Sequence, residues 1–253
     1  MTSQINVSTG SLVISFALVL IAIFISMREK LDLSKDIIVS ILRAVIQLVI
    51  VGYVLKYIFQ VNQVWLTIAM SLFIVANASY NAHKRNPSQT KTYWHSFAAI
   101  FISTYITLGI LLAAGAISFI PSQIVPITGM IASNSMIAIG LCYRQLASQY
   151  EDQRQQVLEK LALGASIKLA SKPILRQSIK TAMQPTIDSA KTVGLVSLPG
   201  MMSGLIFAGL DPVHAIKYQI MVMFMLLSTT SLGSIIAGYY AYKTYFTKAH
   251  QLK

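Results

Sequence analysis

Residues 37–59 read IIVSILRAVIQLVIVGYVLKYIF, an almost unbroken apolar run in which Arg43 and Lys56 are the only charged residues. A helix needs about 20 apolar residues to cross the hydrocarbon core of a bilayer, so this run predicts one transmembrane helix. Six further stretches predict the same, although the first and the sixth of the whole set are short. The set comprises residues 11–27, 37–59, 64–82, 96–117, 121–142, 193–210 and 216–242.

The composition of the whole chain agrees with this pattern. Hydrophobic residues make up 55% of the 253 positions, and charged residues only 11%. A chain with so few charges and so many long apolar runs is typical of membrane proteins. We therefore expect an all-α integral membrane protein with about seven transmembrane helices, which form a single transmembrane domain over residues 1–253. The single cysteine, Cys142, excludes an internal disulfide.

The positions of the basic residues predict an orientation. Nearly all of the 20 Lys and Arg residues lie in alternate connectors between the predicted helices. Because Lys and Arg in short loops favour the cytoplasm, the N-terminus is expected outside and the C-terminus inside. The net charge of +12 is thus mainly an orientation signal, and nucleic acid is not an expected partner. The connectors assigned to the cytoplasm hold Arg28, Lys30, Lys35, Lys84, Arg85, Lys91, the basic residues of 143–192, Lys243, Lys248 and Lys253.

The longest connector, residues 143–192, is predicted to be helical and cytoplasmic. Its stretch EDQRQQVLEKLALG reads as a helix that ends at Gly164, since glycine commonly follows the last turn of a helix. Further on, Arg176 and Lys180 mark one face of a second helix, and apolar residues mark another face. That apolar face could pack on the protein's own helices or the lipid surface, or it could dock onto a cytoplasmic subunit. Its residues are Leu175, Ile179 and Met183.

Several kinds of chemistry are absent from the sequence. It has no G-x-x-x-x-G-K-[ST] phosphate loop and no H-E-x-x-H motif, so we expect neither an enzyme nor a resident cofactor. All eight Asp and Glu residues read as connector or helix-edge residues, which leaves Arg43 as the one intramembrane charge. Proton-driven pumps usually carry acidic relays inside the bilayer. Uphill transport by this chain would therefore take its energy from another polypeptide.

Two of the predicted helices contain helix-breaking residues. Residues 197–206 read SLPGMMSGLI and residues 121–136 read PSQIVPITGMIASNSM, and each stretch has a Gly-Met step near a proline. Interrupted helices line the transport paths of many transporters, and a G-x-x-x-G face also permits close helix packing. The alternative for the methionines is lipid contact or gap filling. The candidate path residues are Met130, Asn134, Met136, Pro199, Gly200, Met201, Met202 and Gly204.

Three stretches resemble a known family. Residues 185–232, PTIDSAKTVGLVSLPGMMSGLIFAGLDPVHAIKYQIMVMFMLLSTTSL, closely resemble the FetB (YbbM) family of ABC-transporter permeases, and so do residues 35–59 and 120–143. The resemblance implies a bacterial inner-membrane permease that pairs with a separate FetA-like ATPase subunit, which would bind the ATP. It also implies iron export, a role in metal homeostasis and oxidative-stress resistance, and, among plant relatives, aluminium tolerance.

The resemblance also bears on how the ATPase would couple to the permease. The segment EKLALGASIKLASKPIL is distantly similar to the coupling segment of ABC importers, with Glu159 and Gly164 at the matching positions. Arg176 and Lys180 are the other candidate contacts. The family reading gives a homodimer of permeases with two ATPases. Two alternatives stay open: an ATPase-independent secondary transporter or channel, and a membrane scaffold or sensor.

Overall fold

The computed structural model describes residues 8–87, 93–247, 249 and 251–252, so Lys91, Lys248 and Lys253 lie outside the described residues. Helices make up nearly all of this part of the chain, which confirms the all-α prediction. The helices are α1 (Thr9–Ser15), α2 (Ala17–Arg28), α3 (Ser34–Val61), α4 (Val64–Lys84), α5 (Tyr93–Ala113), α6 (Pro121–Asp152), α7 (Arg154–Ala162), α8 (Ile167–Thr192), α9 (Gly200–Phe207) and α10 (Pro212–Ala241), followed by a 3₁₀ turn at Tyr242–Tyr245.

Six stretches in the described residues are helical, long and apolar enough to cross a membrane. They are Gly10–Arg28, Ser34–Val61, Val64–Lys84, Tyr93–Ala113, Pro121–Asp152 and Pro212–Tyr245. Each contains or overlaps one of the predicted stretches. The protein is thus a multi-pass integral membrane protein.

The centre of the bundle consists of α4, α5, α6 and α10, and α8 packs along α6 and α10. Small and hydroxyl side chains join these helices: Ser103 Oγ lies 3.0 Å from Ser135 Oγ, and Thr107 Oγ1 lies 3.2 Å from Thr229 Oγ1. At Gly233 a Cβ atom would lie 2.8 Å from Ser135 Oγ. Small residues of this kind allow membrane helices to approach closely, because lipid supplies no hydrophobic force between helices.

The bundle has two distinguishable ends. At the end where α6 and α10 finish, which we call the basic end, the rings of Tyr150 and Tyr245 stack with centroids 4.4 Å apart. There Ser96 Oγ also lies 3.0 Å from the hydroxyl of Tyr143. At the opposite end, where α6 and α10 begin, the chain turns at Asn62 and Gly115, both of which have positive φ. Each half has its own hydrophobic cluster.

Of the two predicted interruptions, only the one in the sixth stretch is present, because α6 continues through Pro126 as one helix from Pro121 to Asp152. Residues 193–199 are not helical, and the helix that follows, α9, has only 8 residues. Pro199 caps α9 in an extended conformation, and Gly194 has a φ of 84°. Proline has no N–H with which to continue a preceding helix, and the left-handed backbone at Gly194 ends the helical path. The chain therefore changes direction where the sequence pattern suggested a bent helix.

Candidate functional site

A discontinuous pair of helices, α8 and α9, runs along α6 and α10 from the basic end towards the opposite end. Near the basic end, a Cβ atom at Gly238 of α10 would lie 3.0 Å from Leu175 Cδ1 of α8. Further along, Ser189 of α8 lines a cavity with Met223 of α10. Beyond the break, Met201 of α9 lines a second cavity with Tyr218 of α10. The α10 neighbours therefore move steadily from residue 238 to residue 218.

The sixth predicted stretch, residues 193–210, is not among the six spans. Two helices, α8 and α9, joined by residues 193–199, take its place along this path. Although α8 has 26 residues, its charged and polar side chains keep it out of the set of apolar spans. The seven crossings expected from the sequence then correspond to the six apolar spans and one interrupted crossing. Interrupted crossings of this type commonly surround the substrate sites of transporters.

The break itself exposes backbone and apolar side chains. Leu195 is 90% exposed and Val196 is 82% exposed. The N–H of Gly194 donates to the carbonyl of Ser197 at 2.9 Å, and the N–H of Val196 donates to the carbonyl of Thr192 at 3.0 Å. Ser197 forms an isolated parallel bridge with Val193, but within the described part of the chain no partner is found for the N–H of Leu198. Such groups in a bilayer require water or another protein surface.

Some of the predicted path residues come together in a cavity of about 380 Å³. Met130 of α6 and Met201 of α9 both line it, as does Met221 of α10, which the sequence reasoning missed. The signal for Met221 was available, since α10 carries Met at residues 221, 223 and 225 in the stretch MVMFM. Three thioethers from three helices thus face one space beside the break.

Asn134 lies at a second, smaller cavity of about 200 Å³, where Ser189 and Met223 also contribute. Its amide nitrogen donates to the backbone carbonyl of Met130 at 2.9 Å. Because that bond uses only the nitrogen, the side-chain oxygen stays available to accept a hydrogen bond in the cavity. Met136, in contrast, packs against the hydrophobic cluster of the basic half and lines neither cavity.

The remaining path candidates lie on α9. A Cβ atom added at Gly200 or Gly204 would meet nothing within 4 Å, so the described residues leave this face of α9 open. Met202 is half-buried, and Pro199 precedes the helix as its cap. The close packing that G-x-x-x-G predicts is therefore not made within the described part of the single chain.

A charged pair lies one turn before the break. Asp188 accepts hydrogen bonds from Gln184 Nε2 at 2.9 and 3.0 Å, and from Lys191 Nζ at 3.1 Å. The side chains of Asp188 and Lys191 remain 53% and 64% exposed. The sequence interpretation placed every acidic residue in a connector or at a helix edge, whereas Asp188 lies inside α8, on an exposed face of a helix that packs along the bundle. The sequence interpretation missed the position of Asp188 because the polar residues of α8 do not predict a helix that packs on the transmembrane helices.

The turn between α7 and α8 has the geometry expected from Gly164. Gly164 has a φ of 85°, and its N–H donates to the carbonyl of Leu161 at 3.0 Å. The N–H of Ala165 donates to the carbonyl of Lys160 at 2.9 Å, which completes a Schellman motif. Ser166 then caps α8 by accepting from the N–H of Leu169 at 3.3 Å. The prediction of a helix ending at Gly164 is confirmed.

A basic groove lies along α7 and α8. It measures about 690 Å³, and its floor includes Leu169, which is 59% exposed. The groove brings the predicted contacts Arg176 and Lys180 together with two further lysines. Glu159 lies on exposed α7 and accepts from Gln155 Nε2 at 3.2 Å, outside the groove lining. The basic residues of the groove are Lys160, Lys172, Arg176 and Lys180.

The structure decides between the alternatives for the apolar face of α8. Leu175 is buried, and Ile179 packs against the cluster of the basic half, on side chains of α6 and α10. The apolar face therefore binds the protein's own helices. Arg176 and Lys180 point away from that contact and are exposed. Any partner at this place would meet the basic face.

Comparison with known proteins shows that the chain matches one protein family and several of its members. The family described as "Uncharacterised protein family (UPF0014)" matches residues 9–246. "Probable iron export permease protein FetB" of Escherichia coli is 57% identical over 247 residues, 98% of this chain and 95% of that protein. "UPF0014 membrane protein YjkA" of Bacillus subtilis is 37% identical over 96% of this chain and 97% of its own length.

A plant relative is also similar. "Protein ALUMINUM SENSITIVE 3" of Arabidopsis thaliana is 35% identical over 94% of this chain and 88% of its own length. No solved structure matches the chain. The family resemblance inferred from residues 185–232 and the two shorter stretches is thereby confirmed.

Proposed function

Because this chain belongs to the UPF0014 family of membrane proteins, we propose that it is the permease subunit of an ABC transporter that exports iron. ATP would be bound and hydrolysed by a separate, FetA-like ATPase subunit. The support for iron is the printed name of the E. coli relative, which covers nearly the whole chain. In this role the protein contributes to metal homeostasis and to oxidative-stress resistance.

The observation that carries the proposal is the interrupted crossing formed by α8, residues 193–199 and α9. Non-helical backbone at membrane depth is stable only where protein or water satisfies its polar groups. The N–H of Leu198, which has no partner in the described residues, therefore favours a hydrated path beside the break. The cavities lined by Met130, Met201 and Asn134 adjoin the same segment and extend that path towards the opposite end.

The basic groove is the proposed site of the ATPase. The turn at Gly164 fixes α7 against the start of α8, and α8 continues without interruption from the groove to the break. A force applied at Arg176 or Lys180 thus acts on the same helix that carries Asp188. This geometry offers a mechanical connection between ATP hydrolysis and the path, with residues 143–192 as the coupling segment of a single permease domain.

A second copy of the chain would complete the path. The open face of α9 at Gly200 and Gly204, together with exposed Leu195 and Val196, requires a partner surface. G-x-x-x-G faces commonly meet another helix at close range. We place the basic end in the cytoplasm, with the N-terminus outside and the C-terminus inside the bacterial inner membrane, because the basic connectors cluster there.

Inverted membrane vesicles that contain the chain and its ATPase subunit test the proposal, since export then appears as Fe²⁺ uptake. ATP is expected to drive uptake, and a hydrolysis-deficient ATPase is expected to abolish it. Gly200→Leu with Gly204→Leu fills the open face of α9 and should suppress uptake, whereas Gly109→Leu, which also faces open space, should not. Uptake that survives both α9 substitutions would count against a path beside α9 and favour a scaffold or sensor.

A further inference from the structure

The pair of Asp188 and Lys191 lies near the middle of the membrane. Ser189, next to Asp188, shares a cavity with Met223. At 1.5 Å per residue, Met223 lies about 16 Å along α10 from its first residue, Pro212. With the first turn of α10 taken as the surface of the hydrocarbon core, which is about 30 Å thick, this level is near the centre of the membrane.

A charged pair at this depth is not suited to contact with lipid. The side chains of Asp188 and Lys191 are both more than half exposed, so the described residues of this chain do not cover them. Ionisable residues inside membranes face a protein interior or a water-filled cavity, and they commonly mark an ion pathway. The pair also lies one turn before the break, where the backbone N–H of Leu198 has no partner in the described residues and likewise requires water or a protein surface.

We propose that the carboxylate of Asp188 binds the divalent metal cation in the path, and that the ammonium of Lys191 forms an ion pair with this carboxylate when no metal is bound. The proposal rests on the permease function above and names a ligand within that path. The path residues predicted from the sequence offer mainly thioether groups and one amide, and thioethers suit softer ions than Fe²⁺. A carboxylate is a better ligand for a hard or intermediate divalent cation than a thioether is.

The hydrogen bonds of Asp188 explain how the site stays stable when it is empty. Lys191 Nζ contacts Oδ1 at 3.1 Å, so the ammonium already occupies the position of a counter-cation. Gln184 Nε2 contacts both carboxylate oxygens and holds the carboxylate in one orientation. An entering cation of charge +2 displaces the ammonium of Lys191. The displaced ammonium stays hydrated, because the Lys191 side chain is exposed. In a dimer, the second copy brings its own Asp188 to the same path.

Binding of Fe²⁺ to the full-length chain in lipid nanodiscs, measured without oxygen and without the ATPase, tests the site. Asp188→Asn keeps the shape of the side chain but removes its charge, so affinity should fall about tenfold or more. Lys191→Gln removes the competing ammonium, so affinity should rise roughly tenfold. Asp211→Asn is the matched control: Asp211 is an exposed helix cap at the opposite end, where Asn caps equally well, and affinity should not change.

Each result has a defined meaning. Wild-type affinity in Asp188→Asn, or no Fe²⁺ binding by the wild-type chain, would overturn the assignment. If Asp188→Asn does not fold, Lys191→Gln decides, because unchanged or weakened binding in that variant contradicts the competition. ATP-driven Fe²⁺ uptake by vesicles separates this inference from the proposed function. Normal uptake by Asp188→Asn refutes the site alone, whereas Asp188-dependent binding without any ATP-driven uptake by the wild type refutes the transport proposal alone.

Discussion

Reversing the charge of Arg176 and Lys180 should weaken binding of the ATPase subunit about tenfold. Both side chains line the basic groove and are exposed, so the substitutions to Glu leave the buried face of α8 intact. A pair of unit charges 6 Å apart in water interacts by about 0.7 kcal/mol. Each reversal loses one attraction and adds one repulsion, so two reversals change the association free energy by about 2.8 kcal/mol before screening.

Physiological salt lowers this estimate. With a Debye length of about 8 Å, screening roughly halves an interaction over 6 Å, which leaves about 1.4 kcal/mol, or a tenfold change in the dissociation constant. The assay is affinity measurement between the detergent-purified chain and the purified ATPase at two salt concentrations, and the effect should shrink at the higher one. Lys56→Glu with Lys217→Glu changes the charge equally at the opposite end and should have no effect. An unchanged dissociation constant in Arg176→Glu/Lys180→Glu would refute docking at the groove.

Three further variants test the packing and the path. Gly238→Leu forces a side chain into the contact between α10 and α8, so it should destabilise the protein by about 1–3 kcal/mol. Gly109→Leu is the control, because Gly109 faces open space and its substitution should not destabilise the protein. Equal thermal unfolding of the two variants would contradict the packing. Asp211→Ala removes the cap that accepts from two N–H groups of α10, and the midpoint of thermal unfolding should fall by about 2–4 °C. An unchanged midpoint would show that α10 does not depend on this cap. Met201→Leu with Met202→Leu retains apolar volume but removes sulfur, so Fe²⁺ flux should fall if a thioether contacts cargo. Near-normal flux would leave the two methionines as packing residues.

Much of the fold was predictable because membrane helices leave a strong signal. The continuous apolar runs of α3, α4, α5 and α10 each reach the length needed to span a bilayer, and the structure has a helix at each place. Gly164 was identifiable as a helix end because its chemistry is local. The basic face at Arg176 and Lys180 was identifiable for a similar reason, since helical spacing separates it from Leu175.

The interrupted crossing was harder to predict, because it depends on packing between distant segments. The apolar run of residues 193–210 is typical of a span, but Gly194 and Pro199 shorten its helix to the 8 residues of α9. The missing length comes from α8, whose lysines make it resemble a cytoplasmic segment. Only the contacts of α8 with α6 and α10 show that this helix, with Asp188 on its exposed face, packs along the bundle. Similarly, Met136 shares the local pattern of Met130, but helix rotation directs it into the core of the basic half.

Accumulation of Fe²⁺ in liposomes that contain the purified chain is the most direct test of the central claim that a separate ATPase drives this permease. The measurement compares liposomes with the chain alone, with the chain and its ATPase, and with the chain and a hydrolysis-deficient ATPase, each with ATP on the side of the basic end. Concentration of Fe²⁺ against its gradient is expected only with the active ATPase. Accumulation by the chain alone, without a second protein or a nucleotide, would contradict the account.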